Sequence, residues 1–140
     1  LQAAIRQWLE NYIAKKYGLE YELVSDRTKF NLRKDARFLL FRNVRELLNN
    51  VIRHAKASKV IVHLVHAEEE LTIVVRDDGV GFDEEELVTN QYEKQKFGLF
   101  SIRERMEDMG GTMEIITGPG KGCKVLLSLP VDENSEQGNV

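Results

Sequence analysis

From Leu1 to Tyr17 the apolar side chains fall at Ala4, Ile5, Trp8, Leu9, Tyr12 and Ile13. These spacings of one, three and four predict an amphipathic helix, and Gly18 suits its C-terminal stop. Leu19 to Val24 sets Leu, Tyr and Leu against Glu, Glu and Val, an alternation that predicts a strand. Ser25 to Asn31 is polar and turn-like. A long helix is expected from about Arg33 to Ala57, because Leu40, Val44, Leu47, Leu48, Val51 and Ala55 form one core-facing stripe. Lys59–His66 and Leu71–Asp77 are β-branched runs parted by Ala67-Glu68-Glu69-Glu70, which reads as an antiparallel hairpin. Glu84 to Lys96 is polar without a clear period. A further helix should begin near Gly98 and stop at Gly110-Gly111. Strands Thr112–Thr117 and Cys123–Leu129 then flank the turn Gly118-Pro119-Gly120-Lys121-Gly122.

This order predicts an α+β fold: a two-layer sandwich with helices on one face of a mixed, mainly antiparallel sheet. A doubly wound α/β fold is disfavoured, since the later strands follow one another through loops too short for a crossover. The 140 residues suit one domain over residues 1–130, with 131–140 as a polar, frayed tail. The lone Cys123 excludes an internal disulfide and a multi-cysteine zinc site. A net charge of −3 argues against a general nucleic-acid binder. No apolar run approaches the roughly 20 residues that span a bilayer, so no membrane contact by this domain is expected. Leu1-Gln2-Ala3-Ala4 has neither an initiator Met nor a signal-peptide pattern, and the chain reads as a piece of a longer one.

Eight of the ten glycines lie between Gly79 and Gly122, which makes the second half of the chain the candidate ligand-binding half. A helix stop and a hairpin turn account for Gly110, Gly111, Gly118, Gly120 and Gly122, but not for Gly79, Gly81 and Gly98. Three segments there and in the long helix carry candidate chemistry. On the helix, Glu46, Asn50 and Arg53 or His54 are spaced to share one face. A carboxylate, an amide oxygen and a cation in succession suit Mg²⁺, which takes one or two protein oxygens plus waters and phosphates; a solvated helix face fits the same pattern. Asp77-Asp78-Gly79-Val80-Gly81-Phe82 ends a strand. An ionised carboxylate only accepts hydrogen bonds, so it can read the amino group of adenine and reject the carbonyl of guanine; an Asp-Gly turn is the plain alternative. Third, Lys94-Gln95-Lys96-Phe97-Gly98-Leu99 leads into a helix whose free N–H groups suit phosphate, after a polar stretch able to close as a lid. A simple loop-to-helix junction is the alternative there.

Together and in this order, the three segments resemble the catalytic ATP-binding domain of bacterial two-component sensor histidine kinases. These belong to the Bergerat-type (GHKL) ATPases, with gyrase, Hsp90 and MutL. The run Gly98-Leu99 to Arg103-Glu104-Arg105 resembles the subgroup with a G-L-x-x-x-R-E-R second glycine box. The resemblance covers about Leu1–Pro130 and implies ATP and Mg²⁺ as cofactors. It implies Asn50 as the magnesium ligand and Glu46 as a polar group acting on Mg²⁺ through water or assisting proton transfer. It further implies Arg53 as a phosphate contact, His54 beside the nucleotide, and Asp77 with Gly79 and Gly81 as the adenine-reading box. Gly98 and Leu99 match the end of the lid, and Gly120, Gly122 and Cys123 the late glycine-rich hairpin. Lys96 stands where the family has a glycine, adding a cation near the phosphates or stiffening the lid. Cys123 replaces a common threonine.

The implied activity is protein-histidine kinase, with the γ-phosphoryl group passing to a histidine that this chain lacks. His54, His63 and His66 have no acceptor context. The implied partners are therefore a dimerisation and histidine-phosphotransfer domain of the larger chain, and a response regulator downstream. A cytoplasmic location follows, with the larger chain free to be membrane-anchored. The rival readings are a non-catalytic nucleotide-sensing module, and an ATPase or anti-sigma serine kinase of the same superfamily.

Overall fold

The computed structural model describes residues 1–25, 32–81 and 93–131, with the side chains of His54, Ala55 and residues 93–97 outside that description. The polar turn expected at 26–31, Phe82, the polar stretch 84–92 and the tail from Asp132 therefore lie outside the described residues.

The first helix, α1 (Gln2–Trp8), continues without a break as π-helical turns over Leu9–Lys16. Ile5, Leu9 and Ile13, at i, i+4 and i+8, are its buried stripe. Trp8 and Tyr12 stack beside that stripe with ring centroids 4.8 Å apart. Strand β1 (Glu20–Ser25) follows, then α2 (Lys34–Asn50), which runs on as a π-helical turn over Val51–Ala55. Lys56, at φ 51°, turns the chain out of the helix. Strands β2 (Lys59–Ala67) and β3 (Glu70–Asp77) form the expected hairpin. Helix α3 spans Glu93–Asp108, so it begins five residues before Gly98, where the glycine had suggested a start. A glycine one turn into a helix weakens it without ending it, which is why Gly98 misplaces the boundary. Strands β4 (Thr112–Thr117) and β5 (Cys123–Pro130) complete the chain.

The sheet order is β1-β2-β3-β5-β4. β1 pairs parallel with β2, and the other three pairings are antiparallel. The parallel pair is joined through α2, the crossover that such pairing requires. β3 and β4 are likewise joined through α3, and β5 fills the slot between them. The mixed, mainly antiparallel sheet with helices against it agrees with the fold read from the sequence.

Alternation decides which face packs. Val60, Val62 and Leu64 on β2, Leu71, Ile73 and Val75 on β3, and Val125, Leu127 and Leu129 on β5 are all buried. They meet Leu40, Val44, Leu47 and Leu48 of α2, and Ile102 and Met106 of α3. Packing extends to Val131, which is buried and donates its N–H to the Glu69 carbonyl at 2.7 Å.

Candidate functional site

The inward row of β3 runs Leu71, Ile73, Val75 and then Asp77, so strict alternation carries a carboxylate onto the core face at the strand's end. Asp77 is only 8% exposed. It pairs in register with Cys123, the first inward residue of β5, and Cys123 in turn pairs with Thr117 at the end of β4. Three polar side chains thus stand side by side across three strands.

The N–H of Gly79 donates to Asp77 Oδ1 at 2.8 Å, and the N–H of Cys123 bonds the same carboxylate. Burial pushes the Asp77 carboxyl above the usual aspartate range, and neighbouring Asp78 adds to the rise, against the opposing pull of those two N–H groups. Burial, with the Asp77 charge beside it, likewise pushes the Cys123 thiol up to about 11. Asp78 faces the other way: it accepts from the Ser58 hydroxyl at 2.5 Å and from the N–H groups of Ser58 and Lys59 at 2.8 and 3.0 Å. Those bonds, the Ser58 hydroxyl foremost, hold its carboxyl below the usual range. Of two adjacent aspartates, the first is presented to a cleft and the second ties β3 to the start of β2.

A narrow cleft, with a cavity volume of about 30 Å³, lies over Asp77 and Cys123. Leu47, Asn50 and Val51 line it from α2 and its continuation, Leu99 from α3, and Val75 and Val125 from the sheet. A polar anchor in an apolar slot is the layout expected for a planar ligand with a few hydrogen-bonding groups. Asn50 stands where α2 passes into its π-helical turn, a common placement for functional residues. A Cβ on Gly98 would lie 3.9 Å from Asn50 Nδ2, so α3 enters close beside the Asn50 side chain.

The glycines do something other than approach a ligand. Gly81 and Gly122 both have φ of 70°. A Cβ on Gly81 would collide with the Gly118 carbonyl and lie 2.7 Å from that of Gly122, and one on Gly122 would collide with the Asp77 carbonyl. The N–H of Gly120 also donates to the Val80 carbonyl at 2.6 Å. The Asp77–Gly81 loop and the 118–122 turn are therefore interlocked backbone to backbone, and that lock holds the cleft's edge.

The sequence-selected residues divide accordingly. Asn50, Asp77, Leu99 and Cys123 line one cleft, with Gly79, Gly81, Gly98, Gly120 and Gly122 in its frame. Arg53 is exposed on the turn beyond Asn50. The side chains of His54, Lys94 and Lys96 lie outside the described residues. Glu46 does not border the cleft: Arg105 Nη2 meets its Oε2 at 2.5 Å, and Arg42 Nε lies 3.5 Å from its Oε1. Arg105 Nε also donates to Oδ1 of the fully buried Asn43 at 2.9 Å. Sequence reading missed Asn43 and the pairing of Arg105. The available signal was a polar residue, Asn43, next to the apolar stripe position Val44. No group of three or more metal-ligating His, Cys, Asp or Glu side chains occurs among the described residues. Asn50, an amide oxygen at the cleft wall, fits a magnesium that takes one protein oxygen and completes its shell with phosphates and water.

The fold is a two-layer α+β domain in which an acidic anchor and an amide face one cleft. Residues 35–133 match the family described as histidine kinase-, DNA gyrase B-, and HSP90-like ATPase, and the chain belongs to it. An uncharacterized sensor-like histidine kinase of Chloroflexus aurantiacus is 33% identical over 134 residues, which cover 94% of this chain and 22% of that protein. Sensor histidine kinase LiaS of Bacillus subtilis is 40% identical over 92 residues, 66% of this chain and 24% of LiaS. Among solved structures, the Erythrobacter litoralis EL346 blue-light activated histidine kinase superposes with a TM-score of 0.76 at 21% identity. That match covers 100% of this chain and 43% of the other. The chain thus spans roughly a quarter of the length of these two curated relatives.

Proposed function

We propose that this chain is the ATP-binding, phosphoryl-donating domain of a sensor histidine kinase. It holds Mg²⁺-ATP in the cleft between α2, α3 and the sheet and presents the γ-phosphoryl group to an imidazole on a dimerisation and histidine-phosphotransfer domain. A response regulator then takes the group from that histidine. The observation that carries the reading is Asp77, a buried carboxylate oriented by the N–H groups of Gly79 and Cys123 and set beside an apolar slot. Such a group accepts from the amino group of adenine and repels the carbonyl of guanine. Asn50 is the magnesium ligand, and the metal supplies charge neutralisation on the phosphates. Leu99 and Val125 cover the ring faces, and Arg53, exposed beyond Asn50, is free to meet phosphate. His54 and Lys96 act on the same nucleotide side in this reading. A kinase supplied with ATP works on the cytoplasmic side, and no described helix is long and apolar enough to cross a membrane.

Thermal unfolding with and without nucleotide tests this. Mg²⁺-ADP at ~100 times its Kd should stabilise the domain by about 2.7 kcal/mol. Mg²⁺-GDP at the same concentration should add little, and Asp77→Asn should abolish the ADP effect. No stabilisation by millimolar Mg²⁺-ADP or Mg²⁺-ATP sinks the reading. Adding the dimerisation helices of a matching kinase in trans should yield acid-labile phosphohistidine, and full-rate transfer by Asn50→Ala would refute the metal role.

A further inference from the structure

Between α2 and α3 lies a polar seam that the nucleotide chemistry above does not use. Arg105 reaches across from α3 with two arms: Nη2 sits 2.5 Å from Glu46 Oε2, and Nε donates to Asn43 Oδ1 at 2.9 Å. Arg42 approaches the other oxygen of Glu46 at 3.5 Å. The Asn43 side chain is fully buried, and its Nδ2 has no partner among the described residues. Its orientation is nevertheless fixed, because turning the amide would face NH₂ against the guanidinium N–H. The seam is expensive. A half-buried ion pair and an orphaned amide donor stabilise less than apolar side chains of the same volume would. What a forked guanidinium supplies instead is a defined geometry between the two helices.

The geometry matters because of what each helix carries. Glu46 precedes Asn50 by four residues on the same face of α2, and Arg105 follows Leu99 by six on α3. Asn50 lines the cleft from α2 and Leu99 from α3. We infer that Arg105 is a positioning residue for nucleotide binding. Through Glu46 and Asn43 it sets the spacing of α2 and α3, and with it the width of the cleft between Asn50 and Leu99. In this assignment Glu46 serves the site as the anchor for Arg105 and has no separate task at the metal. The inference rests on the nucleotide reading of the cleft.

The test is a double-mutant cycle read as Mg²⁺-ADP affinity by calorimetry, with circular dichroism and unliganded melting on every variant. Arg105→Gln and Glu46→Gln should each weaken binding about tenfold, and the double variant should be no weaker than the worse single, because one bond is lost in all three. Arg105→Lys, which keeps the charge opposite Glu46, should recover part of the loss. Magnesium-free ADP should show the same fold-loss in both singles, since the effect is on cleft width. Losses that add in the double variant, or a Glu46→Gln loss confined to magnesium-containing buffer, would overturn the assignment. So would unchanged affinity in a folded Arg105→Gln protein. Should Arg105→Gln fail to fold, Glu46→Gln keeps side-chain volume and carries the test alone: a tenfold loss with and without magnesium supports the inference, and wild-type affinity ends it. Wild-type protein that binds no Mg²⁺-ADP breaks the nucleotide reading itself, a result distinct from wild-type binding that the variants leave untouched.

Discussion

Asp77 is a buried carboxylate held at a cost to the fold. Its carboxyl titrates above the usual aspartate value because burial penalises the charged form. An aspartate with a raised folded pKa costs the fold nothing below its unfolded value near 3.9, and the cost grows as pH rises from there to the folded value, above which it stays constant. Asp77→Asn removes that cost and keeps an acceptor for the Gly79 N–H, so the unliganded variant should melt at or above wild type at pH 7. The gap should close as pH falls below 4, which parallel melting curves would show. On the proposed reading nucleotide affinity has the opposite dependence, since the ionised carboxylate is a stronger acceptor for the adenine amino group than the protonated acid. It should fall on acidification, beginning at a higher pH than an ordinary aspartate would dictate. Cys123 gives a second check at this scale. With its thiol at about 11, only roughly 0.1% is thiolate at pH 8, so alkylation should be slow in the folded protein and slower with Mg²⁺-ADP bound. Peptide mass spectrometry after timed iodoacetamide would measure both rates. Asp77 was legible in the sequence because it continues a period-2 apolar row to the strand's end. The Glu46–Arg105 pair was not, because its partners are 59 residues apart and meet only when α3 docks on α2.

Two kinds of glycine separate at the scale of turns and strands. Gly122 has φ 70° and no room for a Cβ against the Asp77 carbonyl, whereas Gly120 has φ 73° with open space around it. Alanine at 120 meets only backbone strain, about 1 kcal/mol, while alanine at 122 must also push β3 and β5 apart. Urea denaturation should therefore show Gly122→Ala losing at least ~2 kcal/mol more than Gly120→Ala. Equal losses would mean that the two loops are not interlocked. Gly81 stood out in the sequence as a candidate for close approach to a ligand, and Gly122 as part of a glycine-rich hairpin turn. The close approach is real, but it is of one loop to the other, a tertiary relation that local composition does not encode. The π-helical turns after Trp8 and Asn50 were invisible for a related reason. An i→i+5 turn shifts the apolar stripe by only a fraction of a turn, and the amphipathic pattern reads as one helix either way.

For the whole molecule, sheet order decides where the site can open. β2, β3 and β5 are paired on both sides, and β1 and β4 are the edges. The hairpin and the final strands were predictable from alternation. The parallel β1–β2 pair and the slot that β5 fills depend on where two helices return the chain, which no local pattern specifies. Asp77 and Cys123 share the end of the two central strands at which the chain departs into the 77–81 and 118–122 loops. Amides in the middle of β3 and β5 can exchange only when the sheet comes apart. Those of the loops are held by a few bonds, such as Gly120 to Val80 and Lys121 to Gly118, and open locally. Hydrogen exchange on the unliganded domain should therefore be slowest in central β3 and β5 and much faster at 78–81 and 118–122. Saturating Mg²⁺-ADP should slow the loop amides most, because local opening of the cleft edge then requires release of the ligand, and the contrast between loop and strand should narrow. Protection that appears only on the α1–β1 side of the sheet would put the nucleotide elsewhere and remove the link between the buried carboxylate and the ligand.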